Sequence, residues 1–241
     1  MSEPRGGVVV IPAHGHGTRL RDVTAGRAKT LVEVAGEPIL ARLLRAAATA
    51  SARVVVYAKP GDDEVPACVA ARDRGARVKR REPTGYLRDL MDITREVGDE
   101  VTVLDCDLVA PHAEVAGFIE QTRRHENANM LFAVSATPPS PDPRSIRVTA
   151  GSDGGMALGA GAASHLPRAV GAYHWRPAAV AAARRFVAEG RGVFHDYMEF
   201  LAARREPIAL VPFSAALNIN TPAELDLARR LVGEWRAQGL E

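Results

Sequence analysis

Gly7-Val8-Val9-Val10-Ile11-Pro12-Ala13-His14-Gly15-His16-Gly17-Thr18-Arg19-Leu20 is the stretch on which the reading of this 241-residue chain turns. Its first six residues are apolar and rich in β-branching, the pattern of a strand buried on both faces. The residues after it cannot continue that strand. Gly15 and Gly17 allow positive φ and let successive backbone N–H groups converge on one concavity, which is a nest for an anion. A plain tight turn would use the same glycines, and so would a dinucleotide-binding Rossmann unit. That unit wants a third glycine at position 20, which is Leu, and an acidic end to the second strand, where this chain reads Val56-Tyr57-Ala58-Lys59.

Beyond this unit, short apolar runs alternate with longer stretches of helical period, which predicts an α/β domain with a largely parallel sheet. Strands are expected at Gly7–Pro12, Arg53–Tyr57, Ala76–Lys79, Glu100–Leu104, Ala128–Ala136, Gly171–Trp175 and Pro207–Val211. Helices are expected at Pro38–Ala50, Asp62–Arg72, Leu87–Val97, His112–Arg124, Pro177–Glu189 and Val193–Arg204, with Pro38 in the first helical turn. Prolines at 138, 139, 141 and 143 break the rhythm. The segment after them, with a turn at Asp153-Gly154-Gly155, reads as an antiparallel insertion that serves as a lid or a homodimer contact. Thr221-Pro222-Ala223-Glu224 opens a last helix with Thr as N-cap, Pro at the first position and Glu bonding back. No repeat and no long linker divides the chain, so 1–241 is expected to be one domain.

Composition narrows the function. Hydrophobic residues make up 46% and charged ones 25%, ordinary values for a folded globular protein. Val8–Ile11 and Ala46–Ala50 fall far short of the ~20 apolar residues of a membrane span, and Met1–Arg5 leads into no signal-like segment. A cytoplasmic protein with no membrane partner is expected. The 31 basic and 29 acidic residues are too balanced for a nucleic-acid partner. Cys68 and Cys106 make neither a disulfide framework nor a zinc pattern and read as buried thiols. Basic charge is almost all Arg; the lysines are Lys29, Lys59 and Lys79, which makes Lys29, just after the glycine loop, conspicuous.

The run Ala13-x-Gly15-x-Gly17-Thr18-Arg19-Leu20, then Thr24, then Lys29-Thr30-Leu31-x-x-Val34-x-Gly36-x-Pro38-Ile39-Leu40, resembles the signature of the nucleotidyltransferases that make nucleoside-diphosphate sugars. Glu82-Pro83-Thr84-Gly85 lies where that family reads the base, Val101–Leu108 resembles the strand that ends in a metal-binding Asp, and Asn218-Ile219-Asn220-Thr221-Pro222 resembles a late "Asp-Ile-x-Thr-Pro" segment. The Lys-x-Leu-x-x-Val-x-Gly-Glu-Pro form is similar to the branch that transfers cytidylyl groups to phosphocholine-like acceptors. Asn-Ile-Asn-Thr-Pro is shared with molybdopterin guanylyltransferases, whose loop carries Met-Gly after the Arg where this chain has Leu20-Arg21.

The resemblance implies a three-layer αβα Rossmann-like fold with a mixed, mostly parallel sheet, a nucleotide-binding half at 1–110 and an acceptor-binding half at 111–241. It implies Arg19 and Lys29 as catalytic residues. A nucleotide site would form from Ala13, His14, Gly15, His16, Gly17, Thr18, Glu82, Pro83, Gly85 and Asp105. The expected partners are an NTP and a small phosphorylated acceptor, and the expected cofactor is Mg²⁺. The chemistry suits these residue types. In-line transfer to an acceptor phosphate oxygen expels pyrophosphate, so catalysis is positioning and charge neutralisation. A guanidinium forks two phosphate oxygens, and an ammonium is a compact charge. Asp107 is the leading Mg²⁺ ligand; Asn218 and Asn220 are the further candidates, an amide oxygen coordinating without adding charge. Asp105 shares a face with Asp107 and acts through it or caps a loop. Glu82, which when ionised can only accept, fits the amino group of cytosine or guanine, so CTP or GTP is the expected donor. His14 and His16 show no carboxylate partner in the sequence; phosphate contact and an incidental place in the loop both stay open. Tyr173, beside the acceptor in the family, and Arg147, with Arg144 and Arg168, are the acceptor-side candidates. A catalytically weak nucleotide-binding regulator is the competing reading.

Overall fold

A computed structural model of the chain describes residues 7–15, 17, 20, 24, 26–136, 146–150, 156–159 and 167–241. In chain order the elements are β1 (Val8–Pro12), a 3₁₀ turn at Lys29–Leu31, β2 (Glu33–Val34), β3 (Glu37–Pro38), α1 (Ile39–Thr49), β4 (Arg53–Ala58), α2 (Glu64–Arg72), β5 (Arg77–Arg80), α3 (Tyr86–Val97), β6 (Val101–Leu104), β7 (Leu108–Val109) and α4 (His112–Gln121). There follow β8 (Met130–Ser135), β9 (Arg147–Ala150), β10 (Met156–Gly159), β11 (Arg168–Trp175), α5 (Pro177–Ala188), α6 (Phe194–Ala203), β12 (Ile208–Pro212), β13 (Leu217–Asn218) and α7 (Pro222–Ala237).

The main sheet runs β5-β4-β1-β6-β11, with β8 and then β12 beyond β11, and the β9–β10 pair also attached to β11. β5, β4, β1 and β6 are mutually parallel, whereas β11 is antiparallel to β6, β8 and β9. The continuous apolar run of β1 follows from its place between β4 and β6. Val9 and Ile11 enter one core with α1, α2, α4 and α7, while Val10 enters a second with α3, α5 and α6. Helices therefore cover both faces and the fold is a three-layer αβα sandwich. The C-terminal ends of β1 and β6, neighbours in the sheet, open onto one edge, where ligands of such sheets bind.

Several expectations shift in detail. Pro38 does not enter the first turn of α1. It pairs with Glu33 in the β2–β3 hairpin and stands as the N-cap residue. Ala35 and Gly36, both at positive φ, turn that hairpin tightly. β11 starts at Arg168, three residues before the expected Gly171, and carries a register irregularity between Ala169 and Tyr173. The antiparallel insertion is present as β9 paired with β10, and its turn at 153–155 lies outside the described residues. The two-residue strands β7 and β13, which pair with each other, are too short to show a period in sequence. Cys68 and Cys106 are free and half-buried.

α7 begins as its tetrapeptide predicts, with the Thr221 hydroxyl accepting from the Glu224 N–H at 3.2 Å. The Glu224 carboxylate reaches one residue further back than a capping box requires, accepting from the Asn220 N–H at 2.8 Å. Thr221→Ala should cost about 1 kcal/mol, seen in calorimetry as a fall in Tm of roughly 2–4 °C. An unchanged Tm would show that Glu224 alone secures this helix start.

Candidate active site

Asp107 follows β6, and the short β7–β13 ladder decides what it meets. That ladder pairs Leu108 with Asn218, and the Ile219 N–H donates to the Asp107 carbonyl at 2.9 Å. Asn218 is thereby set beside the carboxylate, and its Nδ2 donates to Asp107 Oδ1 at 2.7 Å. The other end of the amide accepts from the Gly171 N–H at 3.0 Å. A backbone N–H can only donate, so this contact fixes which end of Asn218 is oxygen. The second Asp107 oxygen receives Lys29 Nζ, which also donates to Asn220 Oδ1 at 2.9 Å. Lys29 and Asp107 are 12% and 15% exposed, so the pair is partly withdrawn from water. Gly17, at φ +57°, lies close to Lys29: a Cβ built on it would stand 3.4 Å from Lys29 Cβ. Gly15, in contrast, does not adopt positive φ, so of the two loop glycines only Gly17 uses the freedom expected of both.

Asp105 lies beside this pair. Its carboxylate accepts from the Tyr86 hydroxyl, Tyr173 sets its phenol against the same group, and its N–H donates to Gly171 carbonyl at 2.6 Å. Burial, and then the neighbouring Asp107 charge, push the Asp105 carboxyl up to about 7. Both tyrosines are held well above the usual phenol range by burial and by that acid. Phe194 packs edge-on against both rings, at centroid distances of 5.3 and 5.4 Å. Gly171 is obligatory for a steric reason. A Cβ there would stand 2.6 Å from Asp105 Cβ and 2.7 Å from Asn218 Nδ2.

These residues fit a magnesium ion in one respect and leave two candidates in another role. Mg²⁺ takes oxygen ligands and is held by one or two carboxylates with waters and phosphates completing its shell. Asp105 and Asp107, two carboxylates side by side, offer that donor set. Asn218 and Asn220 are brought to the site with their amides turned to Asp107 and Lys29. Among the described residues no group of three or more His, Cys, Asp or Glu gathers around one point.

A second cluster links the glycine loop to the loop before α3. His14 is only 3% exposed, and its Nε2 lies 3.0 Å from Asp89 Oδ2, so it has the carboxylate partner that the sequence did not reveal. Asp89 also accepts from Thr84 through its hydroxyl (2.6 Å) and its N–H (3.1 Å), and from the Gly85 N–H at 3.4 Å. Burial alone would raise the Asp89 carboxyl, but the bonds from Thr84 and His14 prevail and hold it below the usual range. Gly85, at φ +141°, adopts a conformation that side-chain-bearing residues rarely take.

The other expected residues are placed less centrally. Ala13 is buried and Glu82 is exposed without a hydrogen bond to the described residues; Pro83 is half-buried beside Glu82. Arg147 and Arg168 sit opposite one another across β9 and β11, with Arg168 Nη2 donating to Ala216 carbonyl at 2.6 Å. Burial and the Arg147 charge lower the Arg168 pKa to about 10. His16, Thr18, Arg19 and Arg144 lie outside the described residues. Tyr86 and Asp89 were missed from sequence, and Gly171 was read only as part of the strand Gly171-Ala172-Tyr173 beside the acceptor site. Tyr86 could have been found from its place directly after the Gly85 turn; the others act through contacts across 75 and 47 residues.

A family model described as "MobA-like NTP transferase domain" matches residues 9–197. No curated protein matches the chain significantly by sequence. Among solved structures, a Bacillus anthracis protein described as a glucose-1-phosphate thymidylyltransferase, in complex with a sucrose, superposes with a TM-score of 0.76 at 15% identity. That match covers 92% of this chain and 94% of the other. An inositol-1-phosphate CTP transferase from T. maritima gives 0.71 at 13% identity, covering 93% and 95%. Likeness at this identity is a likeness of fold.

Two outcomes follow from the geometry. Gly171→Ala should destabilise by roughly 1–3 kcal/mol, the usual range for overpacking, because the methyl meets atoms that cannot retreat; a Tm equal to wild type would refute the crowding. For Asp89, the folded pKa is depressed, so its stabilising contribution is full above the unfolded value of about 3.9 and is lost as pH falls through the folded one. Asp89→Asn should therefore be less stable at pH 6, with the deficit in Tm shrinking below about pH 4. A deficit independent of pH would assign the loss to packing instead.

Proposed function

The chain belongs to the MobA-like NTP transferase family, and we propose that it transfers a nucleotidyl group from a Mg²⁺-bound NTP to a small phosphorylated acceptor, a sugar-1-phosphate or a related phosphate or phosphonate ester. Pyrophosphate leaves. The observation that carries this reading is the meeting of Lys29 with Asp107, braced by Asn218 and Asn220, beside the glycine loop that follows β1.

In the reaction an acceptor phosphate oxygen attacks the α-phosphorus in line, the bond to the bridging oxygen breaks, and its electron pair departs with pyrophosphate. Lys29 supplies positive charge to a phosphate oxygen, exchanging its contact with Asp107 for one with substrate. The backbone N–H groups around Gly15 and Gly17 hold the triphosphate. Arg19, by the family resemblance, neutralises the leaving pyrophosphate. Asp107 and Asp105 would hold the metal, which would supply charge neutralisation at the phosphate oxygens. Asn218 keeps Asp107 in place, and the Tyr86 and Tyr173 hydroxyls keep Asp105 in place. CTP or GTP is the proposed donor, with Glu82 accepting from the base amino group, and Arg147, Arg168 and Tyr173 form the acceptor side. GTP with a molybdopterin acceptor is the second reading, favoured by Asn218-Ile219-Asn220-Thr221-Pro222.

Thermal unfolding with ATP, GTP, CTP, UTP and dTTP, each with and without Mg²⁺, tests the donor. Saturation at 100 times Kd adds ~2.7 kcal/mol, a rise of roughly 5–11 °C for a domain of this size. Acceptors are then screened by pyrophosphate release. Lys29→Ala and Asp107→Ala should each lower turnover by at least ~10²-fold, the scale of one positioned electrostatic group. No shift with any nucleotide would defeat the reading, and near-normal turnover in either variant would remove that residue from it.

A further inference from the structure

We propose that His14 and Asp89 form a tie that makes the loop after β1 and the loop before α3 a single nucleotide-binding surface, with Asp89 as a positioning residue for nucleotide recognition. The inference rests on the transfer reading above and deepens it.

Three features carry it. First, the contact joins two loops that face different parts of a nucleotide: His14 lies between Ala13 and Gly15 in the phosphate-facing turn, and Asp89 holds Thr84 and Gly85 in the segment expected to read the base. Capping the start of α3 needs only the bonds to Thr84 and Gly85. The bond to His14, 75 residues away, adds nothing to that cap and fixes the distance between the loops instead.

Second, the tie is costly to bury and so is specific in geometry. The side chains of His14 and Asp89 are 4% and 6% exposed. An ionised carboxylate only accepts, so the proton on the facing nitrogen must be on His14 Nε2. Nδ1 is then left buried without a hydrogen-bond partner among the described residues. Among the described residues the ring's hydrogen-bond partner is Asp89, with Tyr57 packed edge-on at 6.4 Å. An apolar pair of like volume would pack there with no such penalty.

Third, the tie extends to the reacting end. Gly85, whose N–H is bound by Asp89, is followed directly by Tyr86, and the Tyr86 hydroxyl donates to Asp105 beside Asp107. Phosphate loop, base loop and acid pair are thus linked by hydrogen bonds at Asp89 and at Asp105, with the Gly85–Tyr86 peptide between them. If the tie is cut, a ligand that spans both loops loses more than one that touches only the first.

The experiment compares CTP and GTP with inorganic pyrophosphate, all with Mg²⁺, on the full chain. In His14→Leu, which cuts the tie and leaves the Asp89–Thr84 cap, the KM or Kd for the preferred NTP should rise about tenfold or more. The pyrophosphate affinity should stay within about threefold. His14→Gln, whose side-chain N–H can reach the same carboxylate, should recover most of the NTP affinity. Thr84→Val, at an exposed position, loosens Asp89 from the other side and gives a smaller rise in the same direction; it serves also if His14→Leu does not fold. An NTP affinity unchanged in both His14→Leu and Thr84→Val overturns the proposal, as does an equal loss for pyrophosphate and NTP. A lower Tm with the wild-type KM would make the pair a structural brace only. Wild-type protein that binds no nucleotide would defeat the transfer reading itself, a result distinct from all of these.

Discussion

The ion pair between Lys29 and Asp107 is the contact on which the active end of the sheet depends. It spans 78 residues, and the bond from Lys29 to Asn220 spans 191, so the loop after β1, the end of β6 and the segment before α7 meet at one ammonium group. Removing one member of a buried pair leaves the other charge stranded, typically at a cost of 3–5 kcal/mol. The structure spreads that risk over two amides. Asn218 bonds Asp107 and the backbone of β11, and Asn220 bonds Lys29, so each charge has a second partner that also fixes its direction.

Backbone geometry makes those amide contacts possible. β7 and β13 contribute only two residues each, yet their register decides that Asn218 faces Asp107. Gly171 lets β11 approach both Asp105 and Asn218 at a distance no other residue would permit. On the opposite side, the register of β1 with β6 sets the glycine loop next to the acids. The parallel half of the sheet thus supplies the loops, and the antiparallel β11 supplies the wall against which the acids are held.

The large features of this design were legible in the residues. Val8–Pro12 announced a doubly buried strand, the periodic apolar positions announced most helices, and Asp107 and Lys29 stood out by type and place. What escaped the sequence was long-range: that His14 has Asp89 as partner, that Asp105 is held by Tyr86, and that Asn218 turns its amide to the acid. None leaves a local pattern, because hydrogen bonds across 75, 19 and 111 residues depend on how the sheet is ordered. Pro38 was misplaced for a related reason. A proline suits both a helix start and the end of an edge hairpin, and pairing with Glu33 decided between them. Gly15 and Gly17 looked equivalent, and only the second needs its freedom.

The charge balance of the site argues for what it receives. Among the described residues, two carboxylates, Asp105 and Asp107, stand near the Lys29 ammonium group, with the Tyr86 and Tyr173 phenols and the Asn218 and Asn220 amides around them. Burial, and then the neighbouring Asp107 charge, make the second negative charge unfavourable and push the Asp105 carboxyl up. A bare anionic ligand would worsen that balance at the acids while satisfying Lys29. A cation alone would satisfy the acids and compete with Lys29 for Asp107. A ligand that carries its own cation would resolve both: the acids would take the positive ion, and Lys29 would be released to the anionic part. Under the proposed transfer, such a site would take a metal-chelated polyphosphate better than either component by itself, and Lys29 would turn from Asp107 to the group it is to neutralise.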